Sequence, residues 1–186
     1  MLLANKHVAT FVYQQKGEPH RNTMVYRVHD DPDPERVAEF AMFAKRFGYN
    51  IELNPKKLPA SLTKLAHDVE GKPEQNVLEG QAIRTMAKAK YTTEAKGHYG
   101  LGFAHYTHFT SPIRRYPDMM SHRLLQHYLD GGKSAEKGSL EEKCLHSSGM
   151  EKRAADAERA SIKYKQVEFM QRFLGEQMSG MVCGLT

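Results

Sequence analysis

A single long helix is the feature that most constrains this sequence. Between Leu140 and Leu174, with a rotation of about 100° per residue, a set of mostly apolar positions falls on one narrow stripe of a helix. Gly175 follows as a natural end, although Gly149 could interrupt the helix. The stripe comprises Leu140, Cys144, Ala155, Glu158, Ile162, Phe169 and Phe173. A fold that accommodates such a helix is predicted to be predominantly helical.

Shorter helices and short extended segments account for the rest of the chain. Asp33 before Pro34 is a typical helix start, and Gly48 is a typical helix end. Helices are predicted over residues 1–15, 35–47, 61–69, 74–89 and 117–129 and near Pro112, and strands over 25–28, 91–93, 99–103 and 106–109. The sequence therefore predicts an α+β fold that is predominantly helical.

Both ends of the sequence suggest interrupted elements. The first predicted helix is apolar from residue 1, and no capping residue precedes it. Residues 178–186 are typical of an opening strand whose partner strands do not follow. We therefore expect a domain that is incomplete at both ends.

Composition and charge indicate which classes of protein and which partners are compatible with this chain. With 186 residues, of which 40% are hydrophobic, the chain is long enough to bury a core. The formal net charge of +5 is compatible with a polyanionic partner but does not establish one. Cys144 and Cys183 lie far apart without the spacing of a zinc site or a disulfide framework, which favours a reducing compartment. No apolar run approaches the length of a membrane span, so we expect a cytoplasmic protein without a membrane partner.

The segment from His108 to Asp118, HFTSPIRRYPD, is dense in groups that bind phosphate. Thr110 and Ser111 can cap a helix whose first turn contains Pro112. The free backbone N–H groups at such a helix start would suit a phosphate oxygen. The segment therefore predicts an anion site at a helix N-terminus.

Two arginines and several rings add to this segment. Arg114 and Arg115 carry planar guanidinium groups that can pair with phosphate at two points. Rings on which a base or ribose could rest are those of His108, Phe109 and Tyr116. The alternative is a surface turn with two solvated arginines, and residue types alone leave it open.

Longer motifs connect the segment to a known family. GHYGLGF, from Gly97 to Phe103, and YTHFTSPIRRYPDMMSHRLLQHYL, from Tyr106 to Leu129, closely resemble the signature of the ribonuclease II / ribonuclease R family. The stretches ANKHVA, YRVHDDPDPE, FAKRFGYN, KPEQN, AIRTMAKA and MEKRAADAERASIKY resemble ribonuclease R in the same order. The resemblance covers essentially the whole chain.

The resemblance implies both an architecture and an activity. Residues 1–174 would be the C-terminal portion of an RNB-type catalytic domain, and residues 175–186 the start of a truncated S1-type OB-fold. The family consists of processive 3′→5′ exoribonucleases that hydrolyse single-stranded RNA to nucleoside 5′-monophosphates. Single-stranded RNA is thus the implied partner, and no DNA partner is expected.

The resemblance also implies site residues. The first arginine of the SPIR motif contacts the scissile phosphate in the family, which assigns that role to Arg114, and a second active-site residue maps to Glu158. Glu158 lies on the apolar stripe, and a buried charge there would need a partner; an exposed position or a structural ion pair is the alternative, and Glu151 shares the stripe. Supporting RNA-binding roles are predicted for His108, Thr110, Ser111, Arg115, Tyr116 and His122.

The metal ligands of the family do not occur in this sequence. Family members bind Mg²⁺ through an aspartate cluster spaced like DxxxxxDxDD, which this chain lacks. Asp30, Asp31 and Asp33 are interspersed with prolines before a helix and are interpreted as a capping turn. We expect no metal site here, with Mg²⁺ bound by the N-terminal part of the same enzyme. The chain alone is predicted to be inactive.

Three other functions stay open on the sequence. The chain could be a non-catalytic RNA-binding module, or a fragment with no function of its own. A histidine-based metallohydrolase is the third alternative, because the chain has 10 histidines. The spacings of His105 to His108 and of His122 to His127 do not direct two imidazoles at one ion, which argues against it.

Overall fold

The fold is predominantly helical with a small sheet, as the sequence predicts. A computed structural model describes residues 1–17 and 19–180. Its helices are α1 (Leu2–Gln14), α2 (Pro34–Lys45), α3 (Leu58–Val69), α4 (Gln75–Thr85), α5 (Tyr116–Leu129) and α6 (Lys137–Met170), and its strands are β1 (Tyr26–Val28) and β2 (Lys90–Thr92). Two short 3₁₀ helices cover Tyr99–Leu101 and Gln171–Phe173. None of the described helices is long and apolar enough to cross a membrane.

The chain divides into two compact units, a division that is not apparent in the sequence. One unit contains residues 1–29 and the described residues from 89 onward, and the other contains residues 30–88. The first unit therefore holds α1, both strands, α5 and α6, whereas α2, α3 and α4 form the second. The HFTSPIRRYPD segment belongs to the first unit.

The core of the first unit lies around the two-stranded sheet. The strands are antiparallel, with Arg27 opposite Tyr91. Helix α6 lies on β2, and its Ser148 hydroxyl accepts a hydrogen bond of 2.9 Å from the backbone N–H of Tyr91. The buried core residues are Ala9, Val12, Met24, Val25, Tyr26, Val28, Tyr91, Met120, Leu124, Tyr128, Leu140 and Cys144. Burial raises the pKa of the Cys144 thiol to about 12.

Helix α6 is continuous over 34 residues, and Gly149 does not interrupt it. It begins where the Glu136 carboxylate accepts hydrogen bonds of 2.7 Å from two backbone N–H groups. At 1.5 Å per residue it is about 50 Å long. Its buried residues, Leu140 and Cys144, both lie in the first turns.

The second half of α6 is exposed. Ile162 and Phe169, both on the predicted apolar stripe, are 52% and 56% exposed. Glu158 is exposed too, which is the alternative that the sequence left open. The physical reason is that a stripe becomes core only where another element covers it, and that cover ends after the first turns of α6.

The second unit is a three-helix arrangement. The predicted cap is confirmed, because the Asp33 side chain accepts a hydrogen bond of 3.0 Å from the backbone N–H of Glu35. Helix α4 packs against both α2 and α3. Its core consists of Phe40, Ala44, Leu65, Val69 and Leu78. Helix α3 begins earlier than predicted, at Leu58, and α4 ends earlier, at Thr85.

Several predicted elements are absent from the described residues. No helix begins near Pro112, where the chain forms a turn. Residues 99–103 are not a strand, because Tyr99–Leu101 forms a 3₁₀ helix that ends at Gly102 in the left-handed conformation (φ 63°). Residues 106–109 run next to β1 but do not form a strand. Of the strand predicted over residues 178–186, the first three residues are not in a strand and 181–186 lie outside the described residues.

Candidate nucleic-acid interface

A buried asparagine of α1 fixes the segment that leads into the SPIR motif. Asn5, only 3% exposed, donates a hydrogen bond of 3.0 Å to the Tyr106 hydroxyl. Its side-chain oxygen accepts a hydrogen bond of 3.2 Å from the backbone N–H of Phe109. Between them, the hydroxyl of the fully buried Thr107 donates to the Val25 carbonyl at 2.6 Å. These contacts satisfy buried polar groups and hold the segment against α1 and β1.

The SPIR motif itself forms a turn that Asp118 closes. The carbonyl of Ser111 accepts backbone hydrogen bonds from Arg114 and Arg115, at 3.3 and 3.1 Å. One carboxylate oxygen of Asp118, a fully buried residue, accepts from the backbone N–H of Ser111 at 2.8 Å and from Nη2 of Arg115 at 2.9 Å. The other oxygen lies 2.9 Å from Nε of Arg115. The turn is thus held to the first turn of α5 by one carboxylate.

This arrangement gives the two arginines different surroundings. The guanidinium of Arg115 is engaged by Asp118, and its side chain is only 22% exposed. Arg114 is exposed, and its side chain makes no hydrogen bond or ion pair to the part of the chain that the structure describes. Arg114 is therefore the arginine that can meet a phosphate directly, while Arg115 positions the turn.

The predicted anion site at a helix start near Pro112 is wrong. Thr110 and Ser111 do not cap a helix, because α5 begins at Tyr116 with Arg115 as its N-cap residue. The backbone N–H of Ser111 donates to Asp118, and those of Arg114 and Arg115 donate to the Ser111 carbonyl, so none of these three is free for an anion. Thr110 and Ser111 are half-buried residues beside the turn.

The two predicted RNA-binding histidines are built into the fold. His108 Nδ1 and the Tyr91 hydroxyl share a hydrogen bond of 2.8 Å, and burial together with the nearby Arg115 charge lowers the pKa of His108 to about 4. The His122 ring stacks on Phe109, with ring centroids 3.8 Å apart, and its Nε2–H donates to the Phe109 carbonyl at 2.7 Å. Both rings are therefore held by contacts within the fold and help to fix the conformation of the segment.

A groove of about 620 Å³ lies beside the turn, within the first unit. Tyr91, Arg114, Arg115, Tyr116 and Pro117 line it from the sheet and the turn. Helix α6 lines it with His146, Ser147, Met150, Glu151 and Ala154. These α6 positions share one helical face, because they recur at spacings of three or four residues. Sequence reasoning missed His146, Ser147 and Met150, and this spacing relative to Glu151 is the signal that could have found them.

Glu151, not Glu158, is the stripe carboxylate that lines the groove. The Arg27 guanidinium contacts both Glu151 oxygens, at 2.5 and 3.1 Å, and lies 4.6 Å from the centre of the Tyr91 ring. Glu158 follows Glu151 by seven residues, which puts it on the same face about two turns further along α6. The structure thus brings Arg114, Arg115 and Tyr116 together at one groove, and Glu158 is not among its lining residues.

The carboxylates of the described residues do not form a metal centre. No group of three or more His, Cys, Asp or Glu side chains within residues 1–17 and 19–180 could hold a metal ion. Asp33 caps α2, Asp118 pairs with Arg115, and Glu151 pairs with Arg27. The residues present therefore do not fit a magnesium site, which needs free carboxylate oxygens.

Together these features indicate the kind of ligand that the groove could bind. An exposed arginine on a rigid turn, beside a groove with an exposed aromatic ring, is typical of surfaces that bind the backbone and bases of single-stranded nucleic acid. The chain belongs to the RNB family: the RNB domain matches residues 1–131.

Curated relatives of the chain are ribonucleases R. Ribonuclease R 1 of Lactococcus lactis is 38% identical over 100% of this chain and 23% of its own length. Ribonuclease R of Aquifex aeolicus is also 38% identical, over 100% of this chain and 26% of its own length. The chain therefore spans about a quarter of the length of these relatives.

Solved structures of RNase R also resemble this chain. The apo form of Mycoplasma genitalium RNase R matches with a TM-score of 0.86 and 25% identity, over 100% of this chain and 30% of that one. The same enzyme in complex with ribose-methylated single-stranded RNA matches with a TM-score of 0.84, the same identity and the same coverage. Yeast Ssd1, described as a pseudonuclease, matches with a TM-score of 0.65 and 26% identity, over 79% of this chain and 18% of that one.

Proposed function

We propose that this chain carries the phosphate-contacting part of a 3′→5′ exoribonuclease that hydrolyses single-stranded RNA to nucleoside 5′-monophosphates. The observation that carries the proposal is the exposed Arg114 on a turn that Arg115 and Asp118 hold in place. The RNB family membership and the single-stranded RNA bound to Mycoplasma genitalium RNase R support it.

Arg114 would stabilise the negative charge of the phosphoryl group during hydrolysis. Hydrolysis of a phosphodiester places negative charge on the phosphoryl oxygens, and a fixed guanidinium stabilises that charge most where it develops. Arg115 would keep the turn in place rather than contact RNA, because Asp118 occupies its guanidinium. Glu158 would act near the terminal nucleotide, since it extends the groove face of α6 toward solvent.

The remaining predicted residues would support the same site in two ways. Thr110, Ser111 and Tyr116 are partly or largely exposed beside Arg114 and would contact the RNA directly. His108 and His122 would maintain the shape of the segment, because Tyr91 and Phe109 already engage their rings.

The complete enzyme would use Mg²⁺ to activate water and to stabilise the leaving oxygen. Its ligands would come from parts of the ribonuclease R relatives that this chain does not cover. The chain alone would then bind RNA without hydrolysing it. We also propose a cytoplasmic location, where an enzyme of RNA turnover meets its substrate.

A non-catalytic RNA-binding role is the second candidate. It is favoured by the paired state of Asp33, Asp118 and Glu151 and by the similarity to yeast Ssd1, a pseudonuclease. Under this alternative the groove would bind RNA in the same way. A larger protein that contains this chain would not hydrolyse the RNA.

The test measures binding and hydrolysis separately. Fluorescence anisotropy with a labelled single-stranded oligoribonucleotide should show binding that weakens with salt, and Arg114→Ala should weaken it and reduce the salt slope by about 1. Arg123→Ala is the matched control, because Arg123 is exposed on α5 and does not line the groove. Equal effects of the two substitutions would contradict the role of Arg114.

To detect hydrolysis, the release of mononucleotides is measured in the presence of Mg²⁺. We expect none from the 186-residue chain. Release of nucleoside 5′-monophosphates by the chain alone would overturn the assignment of the metal ligands to another part of the enzyme. A protein that also includes the N-terminal part of a ribonuclease R should release them, and its failure to do so would favour the non-catalytic alternative.

A further inference from the structure

Two exposed apolar side chains line the groove from different elements. Tyr116, at the start of α5, is 51% exposed, and Met150, on α6, is 44% exposed. Both are large side chains whose apolar surface is available in the groove. They line the groove together with Arg114, so an apolar surface and a positive charge face the same space.

The other lining groups of the groove are less available for such a contact. The Tyr91 ring is 3% exposed and lies under the Arg27 guanidinium. Pro117 is buried, and Glu151 is engaged by Arg27. Tyr116 and Met150 are therefore the large apolar surfaces that this groove offers to a ligand.

The chemistry of these two side chains matches a nucleobase. An aromatic ring stacks on the face of any base, and a methionine thioether makes favourable contacts with aromatic rings. Arg114 supplies a positive charge for the adjacent phosphate, while His146 and Ser147 supply polar groups on the same face of α6 as Met150. Of the lining side chains that could read a base edge, Glu151 and Arg115 are already engaged, by Arg27 and Asp118.

We propose that Tyr116 and Met150 form a base slot that holds one nucleobase of single-stranded RNA, with its phosphate on Arg114. The slot rests on the proposed function, since it names the part of the RNA that the same groove recognises. Because the slot contacts base faces, it should accept all four bases with little preference.

The experiment compares two ligands of equal charge and length. One is a short oligoadenylate, and the other is the same ribose-phosphate chain without bases. Tyr116→Ala should weaken oligoadenylate binding about tenfold and Met150→Ala roughly threefold, whereas neither should change binding of the base-free chain. Arg114→Ala should weaken both ligands, because it removes a phosphate contact.

Conservative variants and a control separate stacking from other effects. Tyr116→Phe and Met150→Leu should bind oligoadenylate like the unaltered chain, because they preserve the contact surface. Leu145→Ala is the control, since Leu145 is 63% exposed on α6 and does not line the groove. Circular dichroism and thermal unfolding of each variant check that the fold is intact.

The outcomes distinguish the slot from the proposed function. If Arg114→Ala weakens binding while Tyr116→Ala and Met150→Ala leave oligoadenylate binding unchanged, the slot is wrong and the phosphate site stands. A loss that is equal for both ligands would also overturn the slot, because it would show a role unrelated to bases. If the unaltered chain binds neither ligand, both the slot and the proposed function fail.

Discussion

Arg115 and Asp118 face each other across the first turn of α5, with Nη2 and Nε of the arginine 2.9 Å from the two carboxylate oxygens. Asp118 is fully buried, and this partner and the Ser111 N–H offset the loss of hydration of its carboxylate. The pair fixes the backbone on both sides of Arg114. A motif with two adjacent arginines thus contains one structural arginine and one that is exposed to solvent.

Asp118→Asn should destabilise the first unit by about 3 kcal/mol, because it leaves Arg115 without its charged partner in a site closed to water. Urea denaturation followed by circular dichroism measures the change in the free energy of unfolding. Asp156→Asn is the control, since the Asp156–Arg159 pair is 53% and 66% exposed and should contribute less than about 0.5 kcal/mol. A loss at Asp118 no larger than at Asp156 would show that the buried pair is not required.

The stability of the fold should decrease as the pH falls from about 7 to 4. Burial is the main cause that lowers the pKa values of His98 and His108 from 6.5 to about 4, so both are neutral in the folded chain at pH 5. The unfolded chain binds more protons between these values, which favours unfolding as the pH falls through this window. His108→Gln should reduce the pH dependence of the unfolding midpoint. An NMR titration that places the His108 midpoint near 6.5 would contradict the prediction.

Arg27 and Glu151 should show a measurable coupling energy. Their side chains are 13% and 45% exposed and meet at two points, so we expect about 1 kcal/mol from a double-mutant cycle with Arg27→Ala and Glu151→Ala. The exposed pair of Lys165 and Glu168 provides the comparison cycle, with about 0.3 kcal/mol expected. Equal coupling in the two cycles would mean that the pair does not hold α6 against β1.

Substitutions in the first and second halves of α6 should lower the free energy of unfolding by very different amounts. Leu140→Ala should destabilise the chain by about 2–4 kcal/mol, because Leu140 is 9% exposed in the core around the sheet. Ile162→Ala should change the free energy of unfolding by less than about 0.5 kcal/mol, since Ile162 is 52% exposed. Thermal and urea unfolding of both variants test this. A comparable loss at Ile162 would indicate that the second half of α6 is covered in solution.

Local signals in the sequence predicted most of the helices and the resemblance to the family. The Asp33–Pro34 start of α2 and the run that became α6 could be predicted, because caps and i to i+4 hydrogen bonds depend on neighbouring residues. The HFTSPIRRYPD motif likewise identified Arg114 as the candidate phosphate ligand, since residue order alone carries that resemblance.

The contacts of these groups became known only from the folded chain. Arg115 is engaged by a buried carboxylate, Glu151 lines the groove in place of Glu158, and Met150 lies beside the turn. None of this follows from periodicity, because a helical stripe specifies which residues share a face but not which part of that face another element covers. Burial and pairing are set by contacts between residues far apart in sequence, such as Arg27 with Glu151, and these exist only once the chain has folded.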